Sequence, residues 1–214
     1  MPSSSHNAAK QVAQMIIHDV EQGTQEWLRL RLGVPTASRF GDIYTGSGKA
    51  SASADAYMYT LLAEIVANEP QQGFVSDAME RGTMLEPEAV SAYEIIRDMT
   101  TKVIGFVTNA AGTIGCSPDR MGLEVKCPAL HTHLKYLVDN KLPTKYIPQV
   151  QGCIWLCEAD HWDFMSYHPD ARPLIVRVDR DQKYIAELSK HLQQFLGKLN
   201  GARASIMGEG NEKV

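Results

Sequence analysis

The spacing of apolar positions divides the chain into helices at both ends and a strand-rich middle. Residues 14–19 are a short apolar segment that reads as an edge strand. Thr24 is placed to cap a helix in which Trp27, Leu28 and Arg31 recur at three- and four-residue spacing, and Gly33 ends it. Thr36-Ala37-Ser38 reads as the cap of a second short helix with free N–H groups at its start, and residues 45–53 (TGSGKASAS) as a Gly/Ser loop. Residues 53–69 place Tyr57, Leu61, Leu62, Ile65 and Val66 on one helical face. Residues 77–99 form a second long helical pattern, which Pro87 should kink or restart at Glu86.

Beyond this point the period changes. Residues 102–108 and 113–117 read as strands joined by a turn at 109–112, and residues 123–127 as a third. A helix over residues 143–158 carries Ile147, Val150, Ile154 and Cys157 on one face. Two more strands follow at 162–167 and 174–178, and a helix over 180–204 with Ile185, Leu188, Leu192, Phe195 and Leu199 inward. This order predicts an α/β or α+β fold with a central mixed β-sheet flanked by helices. With no internal repeat or linker, residues 13–207 read as one domain between disordered tails at 1–12 and 208–214.

The densest chemistry lies in the third strand. Leu123-Glu124-Val125-Lys126 alternates apolar and charged, so Glu124 and Lys126 share one face and Val125 points opposite. Asp119 lies upstream, where Arg120-Met121-Gly122 can turn the chain and bring it alongside. Two carboxylates and the Val125 carbonyl suit a hard divalent cation. Such an ion polarises a phosphoryl oxygen and lowers the pKa of bound water, and phosphodiester cleavage needs that help. Lys126 beside it could stabilise hydroxide and developing negative charge, with its own pKa depressed by the metal and by burial. A second ion, roughly 3.5–4 Å from the first, needs another carboxylate. Glu86 is the best candidate, since Pro87 fixes the helix there, whereas Glu88 points elsewhere. The plain alternative is a turn aspartate and a surface strand pair.

Charge and composition narrow the class. The formal net charge is −4, which counts against nonspecific binding to nucleic acid, so any DNA contact uses a local basic site. No apolar run approaches the ~20 residues of a membrane span, and no secretory pattern is seen at its start, so a cytoplasmic location is the expectation. Cys116, Cys127, Cys153 and Cys157 contain no C-x-x-C pair and read as reduced cytosolic thiols.

Ser117-Pro118-Asp119 followed by Glu124-Val125-Lys126 resembles the PD-(D/E)-x-K nuclease motif. Residues 22–33 (QGTQEWLRLRLG) with Thr36-Ala37-Ser38, then residues 81–89 (RGTMLEPEA), then residues 148–152 (PQVQG), resemble the remaining motifs of the phage lambda exonuclease family of viral-type recombination exonucleases, in order. The resemblance implies a restriction-endonuclease-like core. It implies a Mg²⁺-dependent 5′→3′ exonuclease on double-stranded DNA; two ions are expected, and whether Mn²⁺ replaces Mg²⁺ stays open. It also implies a homotrimeric ring around the DNA, a single-strand annealing protein as partner, and a bacterial or phage-encoded origin. On these motifs Asp119, Glu124 and the Val125 carbonyl match metal ligands and Lys126 the catalytic lysine. Glu86 matches the helix acid that orients water or a second metal, Gln151 the active-site glutamine, and Arg31 with Ser38 the pocket for a terminal 5′-phosphate. Arg can grip phosphate bidentately, and a Ser-capped helix start would add oriented N–H groups.

Other features stay open. Met79 falls where the family places an apolar wedge between strands; core packing is the alternative. Gly46-Ser47-Gly48-Lys49 lacks P-loop spacing, because Ile43 and Ala50 stand where Gly and Ser/Thr are needed. Lys49 then reads as a DNA-backbone contact. His131-x-His133 reads as a solvated helix start sooner than a metal site. The cysteines do not suit an iron–sulfur cluster, because Cys116 and Cys127 lie in the core strands. Lys135, Lys141 and Lys145 form the most basic stretch and could wall a DNA channel. The rival functions are a restriction-like endonuclease on the same core and a DNA-end-binding protein that does not cut.

Overall fold

The computed structural model describes residues 15–71 and 77–208, without the side chains of residues 77–79. The expected tails, apart from residue 208, lie outside the described residues. The elements follow in chain order as β1 (Ile16–His18), α1 (Gln25–Arg31), a 3₁₀ turn (Ala37–Asp42), α2 (Ala54–Ala67) and α3 (Asp77–Arg97). Next come β2 (Phe106–Thr108), β3 (Gly115–Cys116), β4 (Leu123–Lys126), α4 (Leu130–Asp139), a second 3₁₀ turn (Thr144–Tyr146) and α5 (Ile147–Leu156). The chain closes with β5 (His161–His168), β6 (Ala171–Asp179) and α6 (Gln182–Met207).

This is the expected mixed α/β class, with its strands hydrogen-bonded into two three-stranded sheets. In the first, β1, β2 and β3 are antiparallel. In the second, β4 runs parallel to β5, and β5 antiparallel to β6. The strand expected over 102–108 shrinks to three residues because β1 supplies only three partners, Ile16, Ile17 and His18. Lys102 instead accepts at its carbonyl from Met121 N–H at 2.9 Å.

The period of β4 sets its two faces. Leu123 and Val125 pack with Met165 of β5 against Ala89, Val90 and Tyr93 of α3. The opposite face carries Glu124 and Lys126, in register with Phe164 and Ser166. Phe164 and Trp162 belong to the main core, shared with Leu61 and Leu62 of α2, Val150 and Ile154 of α5, and Leu188 and Leu192 of α6. Burying each such aliphatic or aromatic side chain contributes about 1.5–3 kcal/mol, and this core fixes α5 beside β4. Gly152 of α5 makes the approach to the first 3₁₀ turn, since a Cβ there would lie 2.6 Å from Phe40 Cδ2.

Helix α3 runs unbroken through Pro87, so the expected restart at Glu86 does not occur. Its C-terminal half is pinned to β5 by polar contacts: Tyr93 Oη donates to Asp163 Oδ2 at 2.9 Å and Arg97 Nη2 to the same oxygen at 2.7 Å. Burial and this carboxylate push the Tyr93 hydroxyl up to about 12. The pinning holds Glu86 near the end of β4. Glu88 is directed away, as its carboxylate accepts from Tyr167 Oη at 2.5 Å.

Candidate active site

The turn before β4 builds the centre of the site. Arg120 and Leu123 exchange backbone hydrogen bonds, and Gly122 takes φ +84°, where a Cβ would be strained. The tight turn brings Asp119 back onto the strand, where its Oδ2 accepts from Val125 N–H at 2.6 Å. Glu124 is 1% exposed. Its Oε1 receives both the Lys126 ammonium and Gln149 Nε2, the latter at 2.5 Å, while its Oε2 is buried without a hydrogen-bond partner. Glu86 enters from α3, with Arg120 Nη1 3.7 Å from its Oε1. Glu86, Asp119, Val125 and Lys126 line one cleft of about 590 Å³, shared with Arg81 and Tyr146.

Three carboxylates crowded in a buried region resist ionisation. Burial raises the Glu124 carboxyl to about 7, with the charges of Asp119 and Glu86 adding to it and Lys126 opposing it. Burial and Asp119 also raise Glu86, and burial raises Asp119 against the pull of Lys126, Val125 N–H and Arg120. Lys126 departs from expectation. Burial favours its neutral form, but Glu124 and Asp119 outweigh burial, so its pKa rises instead of falling. Without a metal, the ammonium and Arg120 balance the carboxylates.

The donor set fits a hard divalent cation in its chemistry. Glu124 Oε2 is a buried carboxylate oxygen with no partner, and leaving such a group unsatisfied costs about 1–3 kcal/mol or more. An ion there would supply the missing contact and take over the charge balance from Lys126. In the present arrangement, no three His, Cys, Asp or Glu side chains among the described residues converge as a metal-holding group.

The N-terminal motif converges on the same loop. Gln22 Nε2 donates to the carbonyls of Ile104 and Pro118 at 2.9 and 2.8 Å. Trp27 Nε1 and Arg31 Nη1 both donate to Ser117 Oγ, at 3.0 and 2.8 Å, and the Arg31 guanidinium stacks 4.1 Å over the Trp27 ring. Arg31, half-buried, is thus tied to Ser117, which lies two residues before Asp119 in sequence. Ser38 lies elsewhere, in a groove of about 460 Å³ with Gln149 and Lys145. It is exposed and is not the cap: Thr36 holds the N-cap position of the 3₁₀ turn, and Ser38 Oγ lies 3.3 Å from Thr36 Oγ1. Lys145 lines both the groove and the cleft.

Gln151 is not in the cleft. It is buried beside the start of α6, where Nε2 donates to the Asp179 carbonyl and Oε1 accepts from Asp181 N–H, each at 2.9 Å. Residues two apart on a helix face nearly opposite ways, and the face of α5 that meets β4 is that of Gln149. His133 is not solvated: it is fully buried, with Nδ1 2.8 Å from Ser166 Oγ and Nε2 3.0 Å from the Arg172 carbonyl, whereas His131 is exposed at the cleft. Lys49 is exposed in a turn closed by Thr45 and lines neither depression. Met79 lies in α3, and its wedge role falls outside the described side chains. The cysteines are free thiols, with Cys116 Sγ 3.8 Å from Cys157 Sγ in the core. Sequence reasoning missed Gln149, Arg81 and Tyr146. The signal for Tyr146 was its place beside Lys145: the same ring lies 4.7 Å from the Lys145 ammonium and 5.6 Å from that of Lys126.

The family described as the YqaJ-like viral recombinase domain matches residues 26–160, a span that holds every carboxylate of the cleft. The chain is similar to LHK-Exo, an alkaline exonuclease from Laribacter hongkongensis. It is 29% identical to that crystal structure, covering 86% of this chain and 96% of that chain, with a TM-score of 0.79. Against LHK-Exo in complex with dAMP the identity is 30%, with the same coverage and a TM-score of 0.78. A shorter likeness, 29% over 68 residues, covers 30% of this chain and 78% of the uncharacterized protein ExoD of Escherichia coli (strain K12).

Proposed function

The chain belongs to the YqaJ-like viral recombinase domain family, and from that premise we propose that it is a Mg²⁺-dependent 5′→3′ exonuclease. It digests one strand of double-stranded DNA from a 5′-phosphorylated end and leaves 3′ single strands for annealing-type recombination. The observation that carries this reading is the buried Glu124 carboxylate, with Oε2 unpartnered and Lys126 and Gln149 on its other oxygen. The alkaline exonuclease activity of the similar Laribacter protein supports it.

Asp119, Glu124 and the Val125 carbonyl would hold the first Mg²⁺, and Glu86 a second. When bound, the ions polarise the scissile phosphate and lower the pKa of a water that attacks it. The protein's own groups do the rest. Gln149 holds Glu124 in place, and the Val125 N–H holds Asp119. Lys126, on the same strand face as Glu124, would offer a positive charge beside the developing phosphorane. Arg31 reads the terminal 5′-phosphate, with Ser38 on the adjoining groove. Lys145, common to groove and cleft, offers a cation to the backbone between them.

The assembly belongs to the same proposal: a homotrimeric ring working with a single-strand annealing protein on DNA in the bacterial cytoplasm. Among the described residues no helix is long and apolar enough to cross a membrane. The test is Mg²⁺ titration against an end-labelled duplex, with a blocked-end duplex alongside. Mononucleotide release from open 5′-phosphorylated ends alone supports the proposal, and cutting of the blocked duplex replaces it with an endonuclease.

A further inference from the structure

The cleft has a wall that the proposed chemistry does not use. Opposite in character to Glu86 and Asp119, it is formed by Arg81 from α3 and by His131 and Thr132 from the first turn of α4. Arg81 has no ion pair or hydrogen bond among the described residues, and its Nε is fully buried without a partner. A guanidinium has five donors in a planar fork suited to phosphate, and a buried N–H left unsatisfied is costly. Its position on a cleft wall, one and a half turns before Glu86 on the same helix, gives that fork a direction. His131 is exposed there and can donate from its ring, and the Thr132 hydroxyl lies beside it. The cleft's volume of about 590 Å³ exceeds what one phosphate and its ions fill.

We infer that Arg81, with His131 and Thr132, is a subsite for the phosphodiester on the 3′ side of the scissile one. The inference rests on the nuclease reading. Arg31 and Ser38, given the terminal 5′-phosphate, do not line this cleft, so the phosphate that reaches Arg81 is the one on the other side of the metals. Arg81 then holds the strand that remains after each cut, which keeps the new end in register for the next. Its role is to bind and position substrate, through contact with a non-reacting phosphate.

The test is a double-mutant cycle on the first cut of a 5′-phosphorylated duplex. The phosphodiester next to the scissile one is either normal or an uncharged methylphosphonate, and the protein is wild type or Arg81→Gln. The neutral linkage is expected to lower kcat/KM about ten- to hundredfold in the wild type and to have no further effect in Arg81→Gln. Effects that multiply, or a wild type indifferent to the neutral linkage, overturn the subsite. Anisotropy of the same duplexes in Ca²⁺ reads the contact independently of cutting. A wild type that binds and discriminates the two duplexes without cleaving them removes the nuclease reading and keeps the subsite. The Mg²⁺-induced rise in Tm shows that Arg81→Gln is folded with an intact carboxylate centre; loss of that rise assigns Arg81 to the centre instead and overturns the subsite.

Discussion

Gln149 donates its side-chain amide to Glu124 at 2.5 Å, reaching from α5 to the strand that carries Lys126. Its neighbour Gln151, two residues on, faces the other way and ties β6 to α6. The two glutamines therefore separate function from stability. Gln149→Ala is expected to lower kcat about ten- to hundredfold, the usual effect of removing a group that orients a metal ligand, with Tm nearly unchanged. Gln151→Ala leaves the Asp179 carbonyl and the Asp181 N–H unpaired, at about 1–3 kcal/mol each. It should lower Tm by roughly 5–10 °C while the folded fraction keeps its kcat. Steady-state kinetics and thermal melts on both variants check the contrast.

The Glu124 carboxyl, raised by burial and by Asp119 and Glu86 to about 7, makes Mg²⁺ binding depend on pH. An acid whose pKa is raised in the fold keeps a proton that the unfolded chain has released. Its contribution to the stability of the metal-free protein therefore falls as pH climbs from the ordinary carboxylate range to about 7. Mg²⁺ reverses this, because it competes with that proton. Affinity should rise about tenfold per pH unit below ~7 and level off above it. The Mg²⁺-induced increase in Tm should accordingly grow between about pH 6 and pH 8 in the wild type and lose that slope in Glu124→Gln. A pH-independent increase would remove Glu124 from the ligand set.

Arg31 is held by stacking on Trp27 and by Ser117, next to Pro118-Asp119. Arg31→Ala should lose the preference for 5′-phosphorylated over 5′-hydroxyl ends, a ratio expected to be at least about tenfold in the wild type. Arg31→Lys should restore only part of it, since a point charge cannot replace the planar fork. Competition between the two duplexes in one reaction measures the ratio, and an unchanged ratio in Arg31→Ala moves the terminal-phosphate site elsewhere.

Local pattern made much of this legible. Period two placed Glu124 and Lys126 together and Val125 opposite, and apolar spacing located α2, α3, α5 and α6, but not α4, whose first turn lines the carboxylate cleft. What it missed depends on contacts distant in sequence. Gln149 and Gln151 lie on one helix, and only their partners, Glu124 for the first and Asp179 and Asp181 for the second, tell them apart. His133 looks like a surface residue until Ser166 and the Arg172 carbonyl close over it. The apolar run at 102–108 has strand composition throughout, but only its last three residues find partners in β1. Lys126 looked set for a depressed pKa because the ion was counted; in its absence two carboxylates govern it.

The central claim is that the Asp119-to-Lys126 stretch cuts DNA, and Lys126→Ala tests it most directly. The substitution leaves the buried Glu124 without its ammonium, so melts in Mg²⁺ accompany the assay and confirm a folded protein. With a 5′-phosphorylated, end-labelled duplex, mononucleotide release should fall at least about a thousandfold while duplex binding is retained. Release at the wild-type rate by the folded variant would contradict the account.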